Sequence, residues 1–381
     1  MQGERQFKDI QFTQHCVYSA LCHLTVLTLE DPSSRAFLSG CAMRANIESW
    51  LHRQWTKRGA MAIALSPLSL VFLCIAKNRR MRTVPTRLPV PVVVVGNIYV
   101  GGTGKTPVTI ALVRELIRRG YRPGVVSRGF GRKEDGAQLV KPTSPAQKVG
   151  DEPLLIAKET GVPVAVARDR VEAAMLLLDK YPDCNLIISD DGLQHYGLAR
   201  DVELAVVGAR GLGNGWVLPA GPLREPPSRL DEVDAIVLNA TEDSFDSRTP
   251  RFAATAVLGK ARSLDGERVL DLDEIAASGK KVFAAAGIAA PGRFFAMLRA
   301  HDIEAQTEEL GDHFDFHTNP FKEREEDIIL ITGKDAVKCR QRPEIFADKR
   351  VYFVEYLVDI DPYLVDLIEH KLKEKAIENG H

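Results

Sequence analysis

Four consecutive valines, Val92 to Val95, lead into Gly101-Gly102-Thr103-Gly104-Lys105-Thr106, and behind that loop Ile110, Leu112, Val113, Leu116 and Ile117 recur at helical spacing. Strand, glycine-rich loop, Lys-Thr and helix form the context that phosphate binding requires. Glycines let backbone N–H groups close around phosphate oxygens, and the helix N-terminus adds a favourable dipole. The Lys105 ammonium would then pair with the outer phosphates and the Thr106 hydroxyl would hold magnesium. Pro107 fits the first helical turn, where its missing N–H costs nothing. The common spacing puts glycine at position 99, but Tyr99 stands there, so Gly101 and Gly102 must make the close approach. A plain glycine turn is the alternative, and Lys105-Thr106 with both flanks argues against it.

In an open parallel sheet, ligands gather at the carboxyl ends of the strands. Asp190 and Asp191 follow Leu186-Ile187-Ile188-Ser189, which is how a magnesium-binding carboxylate is delivered opposite a phosphate loop, although an Asx turn before Gly192 would also use them. Asp151 and Glu152 precede Pro153, and by ordinary chemistry they would only cap a helix. Arg128, in Ser-Arg-Gly-Phe-Gly-Arg, and Arg224, in Leu-Pro-Ala-Gly-Pro-Leu-Arg-Glu-Pro-Pro, sit in rigid loops suited to clamping phosphate through two parallel hydrogen bonds. His195 and His313 carry little weight alone, because histidine often serves structure only.

The elements that must position these residues alternate. Short apolar runs at Gly124–Ser127, Val162–Ala167, Asn185–Ser189, Val202–Val207 and Ala235–Leu238 are separated by helical patterns such as Glu152–Glu159 and Arg170–Lys180, the latter opened by Asp169 and Glu172 as a capping box. Alternation of this kind predicts an α/β fold, a P-loop NTPase-like parallel sheet with helices on both faces. Residues 83–250 are assigned to this nucleotide-binding domain. From Arg251 to Ile275 the texture changes to short β-like runs around Asp265-Gly266, giving a hairpin-like linker over 251–278. A second, smaller α/β domain over 279–381 has strands near Val282–Ala286, Ile328–Thr332 and Val351–Val354 and closes on a helix, Pro362–Ile377.

The N-terminal part differs in kind. Residues 1–42 show no clear period and receive no assignment; Met43 opens a stretch that makes sense by itself and is a possible native start. Over 43–82, Ile47, Trp50, Leu51 and Trp55 share a helical face while Arg44, Arg53, Lys57 and Arg58 are cationic, the pattern of a helix at a bilayer interface. Gly59 to Ala76 then carries no charge, and its 18 residues at ~1.5 Å each just match a bilayer core of ~30 Å. Pro67 interrupts the run, leaving a kinked span, a re-entrant insertion or a buried core hairpin as readings. Lys77, Arg79, Arg80, Arg82 and Arg87 follow without an acid among them, which by the positive-inside rule keeps the next domain in the cytoplasm. The basic flank follows the apolar run, unlike a signal peptide.

Length and composition agree. A chain of 381 residues can hold two cores, and a formal net charge of −1 with no basic stripe gives no sign of a nucleic-acid partner. The six cysteines form no Cys-x-x-Cys pair and no regular spacing, so neither zinc nor a disulfide framework is indicated.

Read together, GGTGKTP, SRGFGR, VGDEPLLIA, VARDR, SDDGLQH, NGWVLPAGPLREP and LGDHFDFH, in this order behind an apolar helix, closely resemble the tetraacyldisaccharide 4′-kinase family of lipid A biosynthesis. The resemblance covers about Met43 to the C-terminal helix. It implies transfer of the ATP γ-phosphate, with Mg2+, to the 4′-hydroxyl of a tetraacyldisaccharide 1-phosphate at the cytoplasmic face of a Gram-negative inner membrane. It also implies roles. Lys105 and Thr106 match the phosphate loop, Asp151 the proposed catalytic aspartate, and His313 the histidine paired with it. Glu152, Asp190 and Asp191 match acids linked to magnesium and nucleotide, Gln194 and His195 complete that motif, and Arg128, Arg170 and Arg224 match basic residues near the phosphates and lipid head group. Phe130 stands where tyrosine is expected and Gly333 where glutamate is common.

Rival classes exist. A membrane-tethered partitioning or targeting ATPase would share the loop but need no acceptor-site acid and histidine, and a nucleotide-binding scaffold would bind ATP without turnover. A GTP-dependent switch is disfavoured because Leu238-Asn239 continues Ala-Thr-Glu rather than the guanine signature Asn-Lys-x-Asp.

Overall fold

A computed structural model of the chain describes residues 54–132, 135–239, 245–288, 290–312 and 314–378. Met43 as a start, the interfacial pattern of Ile47, Trp50 and Leu51, and His313 lie outside the described residues. The described residues form two compact units: one holds those up to Ile75 together with Gly213–Leu223, and the other holds those of Ala76–Leu212 and from Arg224 onward.

In the first unit Trp55, expected at a bilayer interface, is instead 2% exposed, and its indole Nε1 donates to the Pro219 carbonyl at 3.1 Å. Arg58 Nε donates to the Asn214 carbonyl and Ser69 Oγ to the Val217 carbonyl, so the Gly213–Leu223 loop is fastened to the chain before Ile75. Helix α1, Ala60–Arg82, is one continuous helix of 23 residues, which excludes the core hairpin. It is long and apolar enough to cross a membrane by length and composition, with a mean hydropathy of 2.0 over its apolar window and 11% of that window buried. Ile63, Leu68, Leu70, Val71 and Ile75 are all exposed. Pro67 cannot donate to the Ile63 carbonyl, and Ser66 Oγ donates there instead at 2.7 Å, which keeps the helix intact across the proline.

The second unit is built on one sheet. Its strands are β1 Val92–Gly96, β2 Pro123–Ser127, β3 Gln138–Val140, β4 Val164–Val166, β5 Leu186–Asp190, β6 Val202–Gly208, β7 Ala235–Asn239, β8 Arg251–Ser263, β9 Val269–Leu270, β10 Val282–Ala286, β11 Ala305–Glu309, β12 Ile328–Thr332 and β13 Val351–Ile360. The helices after α1 are α2 Lys105–Arg118, α3 Ala146–Val149, α4 Asp151–Thr160, α5 Arg170–Lys180, α6 Leu272–Ala277, α7 Pro291–Ala300, α8 Gly333–Cys339, α9 Pro343–Phe346 and α10 Pro362–Glu378. Among the described residues the strand order is β11-β10-β12-β13-β8-β7-β6-β1-β5-β2-β4-β3, with β9 beside β8. Strands β1, β2 and β4 to β8 run parallel, while β13 pairs antiparallel with β8, so β10, β11 and β12, parallel to β13, run the opposite way.

The stretch expected as a short hairpin linker thus contributes β8, a strand of 13 residues that pairs with both β7 and β13. Its alternation of buried and exposed positions suits one covered face, and Asp265-Gly266 makes the turn into β9.

All five residues of β1 are buried, as a strand covered on both faces demands. Val93 and Val95 point into a core shared with Val108, Leu112 and Leu116 of α2, Leu154 and Ile156 of α4, and Leu364, Val365, Ile368 and Leu372 of α10. That i, i+4 pattern on α10 explains why the C-terminal helix packs back onto the core around β1 and α2. Helices α6 and α7 pack one face of β10, β12 and β13, while α8 and α9 cover the other.

Candidate active site

The loop between β1 and α2 is propped from beneath. Asn97 Nδ2 donates to the Tyr99 carbonyl at 2.8 Å and to Thr103 Oγ1 at 3.0 Å, and Asn239 Nδ2, at the end of β7, donates to the Thr103 carbonyl at 3.0 Å. Tyr99 is buried, which raises its phenol pKa, so the residue standing in place of glycine turns into the protein. Gly104 sits at φ 79°, and a Cβ there would lie 1.8 Å from Asn239 Nδ2, so only glycine fits. Gly104 brings no side-chain cap to α2, and a helix start without one suits an anion.

Asp190 ends β5 beside β1, Asp191 follows it, and the two have opposite environments. Asp190 Oδ1 accepts from Thr109 Oγ1 at 3.0 Å, while Oδ2 is buried without a partner. Burial, followed by the neighbouring Glu152 and Asp191 carboxylates, pushes the Asp190 carboxyl up to about 7. Burial alone would raise Asp191 too, but Lys105, Arg224 and Arg170 hold it well below the usual carboxylate range. Lys105 Nζ is 3.4 Å from Asp191 Oδ1, and Arg224 Nη1 donates to both Asp191 oxygens at 3.3 Å.

The remaining positions sort themselves by burial and partners. Arg170 is 3% exposed, with its guanidinium on the carbonyls of Arg168 and Asp191, which places it behind the acidic turn. Arg128 is half-buried and feels the charges of Asp191, Arg168, Arg224 and Arg79; burial is the main cause of its lowered pKa. Gln194 Nε2 donates to the Asn97 carbonyl and to Glu225 Oε1, and its Oε1 accepts from Arg224 Nη1, so it joins the phosphate loop to the Arg224 loop. His195 Nε2 lies 3.2 Å from both Asp169 Oδ1 and the Arg170 N–H, and burial lowers its pKa. It therefore steadies the start of α5, where Asp169 also caps Val171 N at 2.8 Å.

Asp151 opens α4 directly after Gly150, whose φ is 91° and whose Cβ, if present, would lie 3.0 Å from Gly129 Cα in the Ser-Arg-Gly loop. This close approach sets the acidic helix start against the loop of Arg128. Lys334 and Lys338 of α8 meet the same carboxylates: Lys338 Nζ is 3.4 Å from Asp151 Oδ2, and Lys334 Nζ is 3.7 Å from Glu152 Oε1. Burial would depress the Lys334 ammonium, but Glu152, Asp151 and Asp312 raise it on balance.

Neither lysine was found by sequence reasoning, which noted only Gly333 beside them. Glu225 was also missed. It accepts from Gln194 and Tyr196 and lies 3.5 Å from buried Arg229, and its one signal was its place after Arg224.

A phosphate loop implies a magnesium ion. Among the described residues no three His, Cys, Asp or Glu side chains gather as a metal cage. Magnesium bound with nucleotide needs only one or two protein oxygens, the rest coming from phosphates and water. The orphaned Asp190 Oδ2 and the Thr106 hydroxyl at the start of α2 suit that need. Asp191, engaged by two cations, suits it less.

The fold and this loop place the chain among the P-loop phosphotransferases. Its family follows from comparison: the model for tetraacyldisaccharide-1-P 4′-kinase matches residues 61–373, and the chain belongs to that family. It is 46% identical over 349 residues to the tetraacyldisaccharide 4′-kinase of Janthinobacterium sp. (strain Marseille), covering 88% of this chain and 99% of the relative. With the enzyme of that name from Acidovorax ebreus (strain TPSY) it shares 47% over 340 residues, covering 87% and 96%. A crystal structure of LpxK from Aquifex aeolicus in complex with ATP superposes with a TM-score of 0.70 at 28% identity, covering 82% of this chain and 99% of that one.

Proposed function

We propose that this chain transfers the γ-phosphoryl group of ATP to the 4′-hydroxyl of a tetraacyldisaccharide 1-phosphate in lipid A biosynthesis, working at the cytoplasmic face of the inner membrane. The observation that carries the reading is the pairing of Lys105 with Asp191 at the phosphate loop, beside Asp190 with a free buried oxygen. Phosphoryl transfer proceeds in most analyses through a loose transition state, so catalysis rests on positioning and on neutralising charge. Lys105 and the first N–H groups of α2 bind the phosphates, and Arg128 and Arg224 add positive charge along the approach. Bound magnesium, held by Asp190 and Thr106, would screen the phosphate oxygens. Asp151, with His313 as its expected partner, accepts the proton of the attacking sugar hydroxyl. The exposed apolar face of α1 gives access to a substrate whose acyl chains stay in the bilayer, where each CH₂ exposed to water would cost ~0.8 kcal/mol.

The test is ADP formation by the purified protein with ATP and Mg2+, with and without the lipid disaccharide. Turnover that requires the acceptor supports the reading, and equal turnover without it contradicts it.

A further inference from the structure

Lys334 and Lys338 are four residues apart on α8 and so project from the same face, one turn from each other. Lys338 Nζ donates to the Phe314 carbonyl at 2.9 Å and lies 3.4 Å from Asp151 Oδ2. Lys334 Nζ lies 3.4 Å from Asp312 Oδ1, 3.7 Å from Glu152 Oε1 and 4.0 Å from Asp151 Oδ2. The two ammonium groups thus tie Asp312 and Phe314 to the acidic start of α4. Both side chains are largely covered, at 16% and 11% exposure.

Covering two flexible cations costs desolvation and rotamer freedom, and an apolar pair would hold α8 on α4 at least as well. The charges make sense if the carboxylates they face must stay ionised and in one place. Asp151, Glu152 and Asp312 would otherwise repel one another and drift apart.

We propose that Lys334 and Lys338 are positioning residues for the phosphoryl transfer: they fix the Asp151 carboxylate beside Asp312 and the Phe314 carbonyl so that it meets the acceptor hydroxyl in one orientation. This inference rests on the kinase reading above. Lys338 supplies the direct link, because it alone of the pair combines Asp151 with the Phe314 backbone carbonyl. Lys334 balances the outer acids. Both lysines are occupied by protein oxygens, so they act on the reaction through Asp151 and contribute little to nucleotide binding.

The test uses the full-length enzyme and measures kcat, the KM for ATP and the thermal midpoint for Lys338→Met, Lys338→Gln, Lys338→Arg and Lys334→Met, with Lys338→Gln also placed in an Asp151→Asn background. Losing one partner of a covered ion pair is expected to lower kcat at least about tenfold in Lys338→Met and Lys338→Gln. The KM for ATP should stay within about twofold, since uniform nucleotide binding is untouched. Lys338→Arg should recover part of the loss by keeping the charge. In the Asp151→Asn background, Lys338→Gln should cost less than about threefold more, because residues sharing one step are not additive. Should Lys338→Met fail to fold, Lys338→Gln, which keeps a donor for the Phe314 carbonyl, decides the matter. Unchanged kcat in a folded Lys338→Gln protein overturns the proposal, as does a raised KM for ATP with kcat intact, or a loss that multiplies fully with Asp151→Asn. Failure of the kinase reading would look different, because wild-type protein would then transfer no phosphate to lipid at all.

Discussion

Two adjacent aspartates at the end of β5 show how little residue type alone decides. Asp191 is surrounded by Lys105, Arg224 and Arg170 and stays ionised, whereas Asp190 faces Thr109 and other acids and has its carboxyl pushed up to about 7. In metal-free protein the folded state favours protonated Asp190, while the unfolded chain ionises near about 4. The folded state thus binds the extra proton, and stability falls as pH rises between about 4 and 7. Asp190→Asn is expected to flatten that fall by a few degrees between pH 5 and pH 8, since ~1 kcal/mol moves the midpoint of a large domain by roughly 2–4 °C. Transfer should be lost in the same variant. Thermal melts without metal check this, and a pH response identical to wild type would contradict it. A second expectation concerns Asp151 and His313. Asp151→Ala and His313→Ala should each cut kcat strongly, with the double variant little worse than the poorer single. If Asp151 were only a helix cap, its loss would cost ~0.5–2 kcal/mol of stability and leave chemistry intact. Combined kinetics and melts on the three variants separate these outcomes.

Helix α1 was legible as an element because an uncharged run of the right length needs no tertiary context, and the start of α2 at Lys105 and Thr106 was legible because the loop's spacing is local. The fate of Trp55 was not legible, because its cover comes from a loop more than 150 residues later: its bond to Pro219 spans 164 positions. Lys334 and Lys338 escaped for the same reason, since their partners on α4 depend on how β13 pairs with β8, and nothing in the local pattern of 351–360 announces an antiparallel neighbour. The exposed side chains of α1 give a prediction at this scale. Leu70→Asp with Val71→Asp should release the protein from membranes while leaving its thermal midpoint nearly unchanged, because both residues are more than half exposed. Each charge would cost roughly 2.5–3.5 kcal/mol in a bilayer core. Residual attraction from Lys77, Arg79, Arg80 and Arg82, at ~1 kcal/mol each, should then be removed by high salt. Vesicle sedimentation at two salt concentrations measures this, and unaltered pelleting would mean that the face of α1 is not the anchor.

At the scale of the whole chain, the alternation of strand and helix foretold the parallel part of the sheet, and the glycine-rich loop fell at the carboxyl end of β1 as that architecture requires. The reversal of strand direction at β8 and β13 was beyond reach of periodicity, which reports which face is buried and not which strand lies alongside. The sheet nevertheless has one functional consequence. It carries the acids of β5, the loop after β1 and the helices α4 and α8 on one framework, so Lys105 and Asp151 belong to the same body. The proposed reaction is therefore defined by regiochemistry as well as turnover. Its most direct measurement is ³¹P NMR of the lipid product formed from ATP, Mg2+ and tetraacyldisaccharide 1-phosphate, with Lys105→Ala as the control. The expected result is a second phosphate monoester, on the 4′-oxygen, with wild-type protein and none with Lys105→Ala. A lipid left with its single phosphate while ATP is consumed, or equal product from Lys105→Ala, would contradict it.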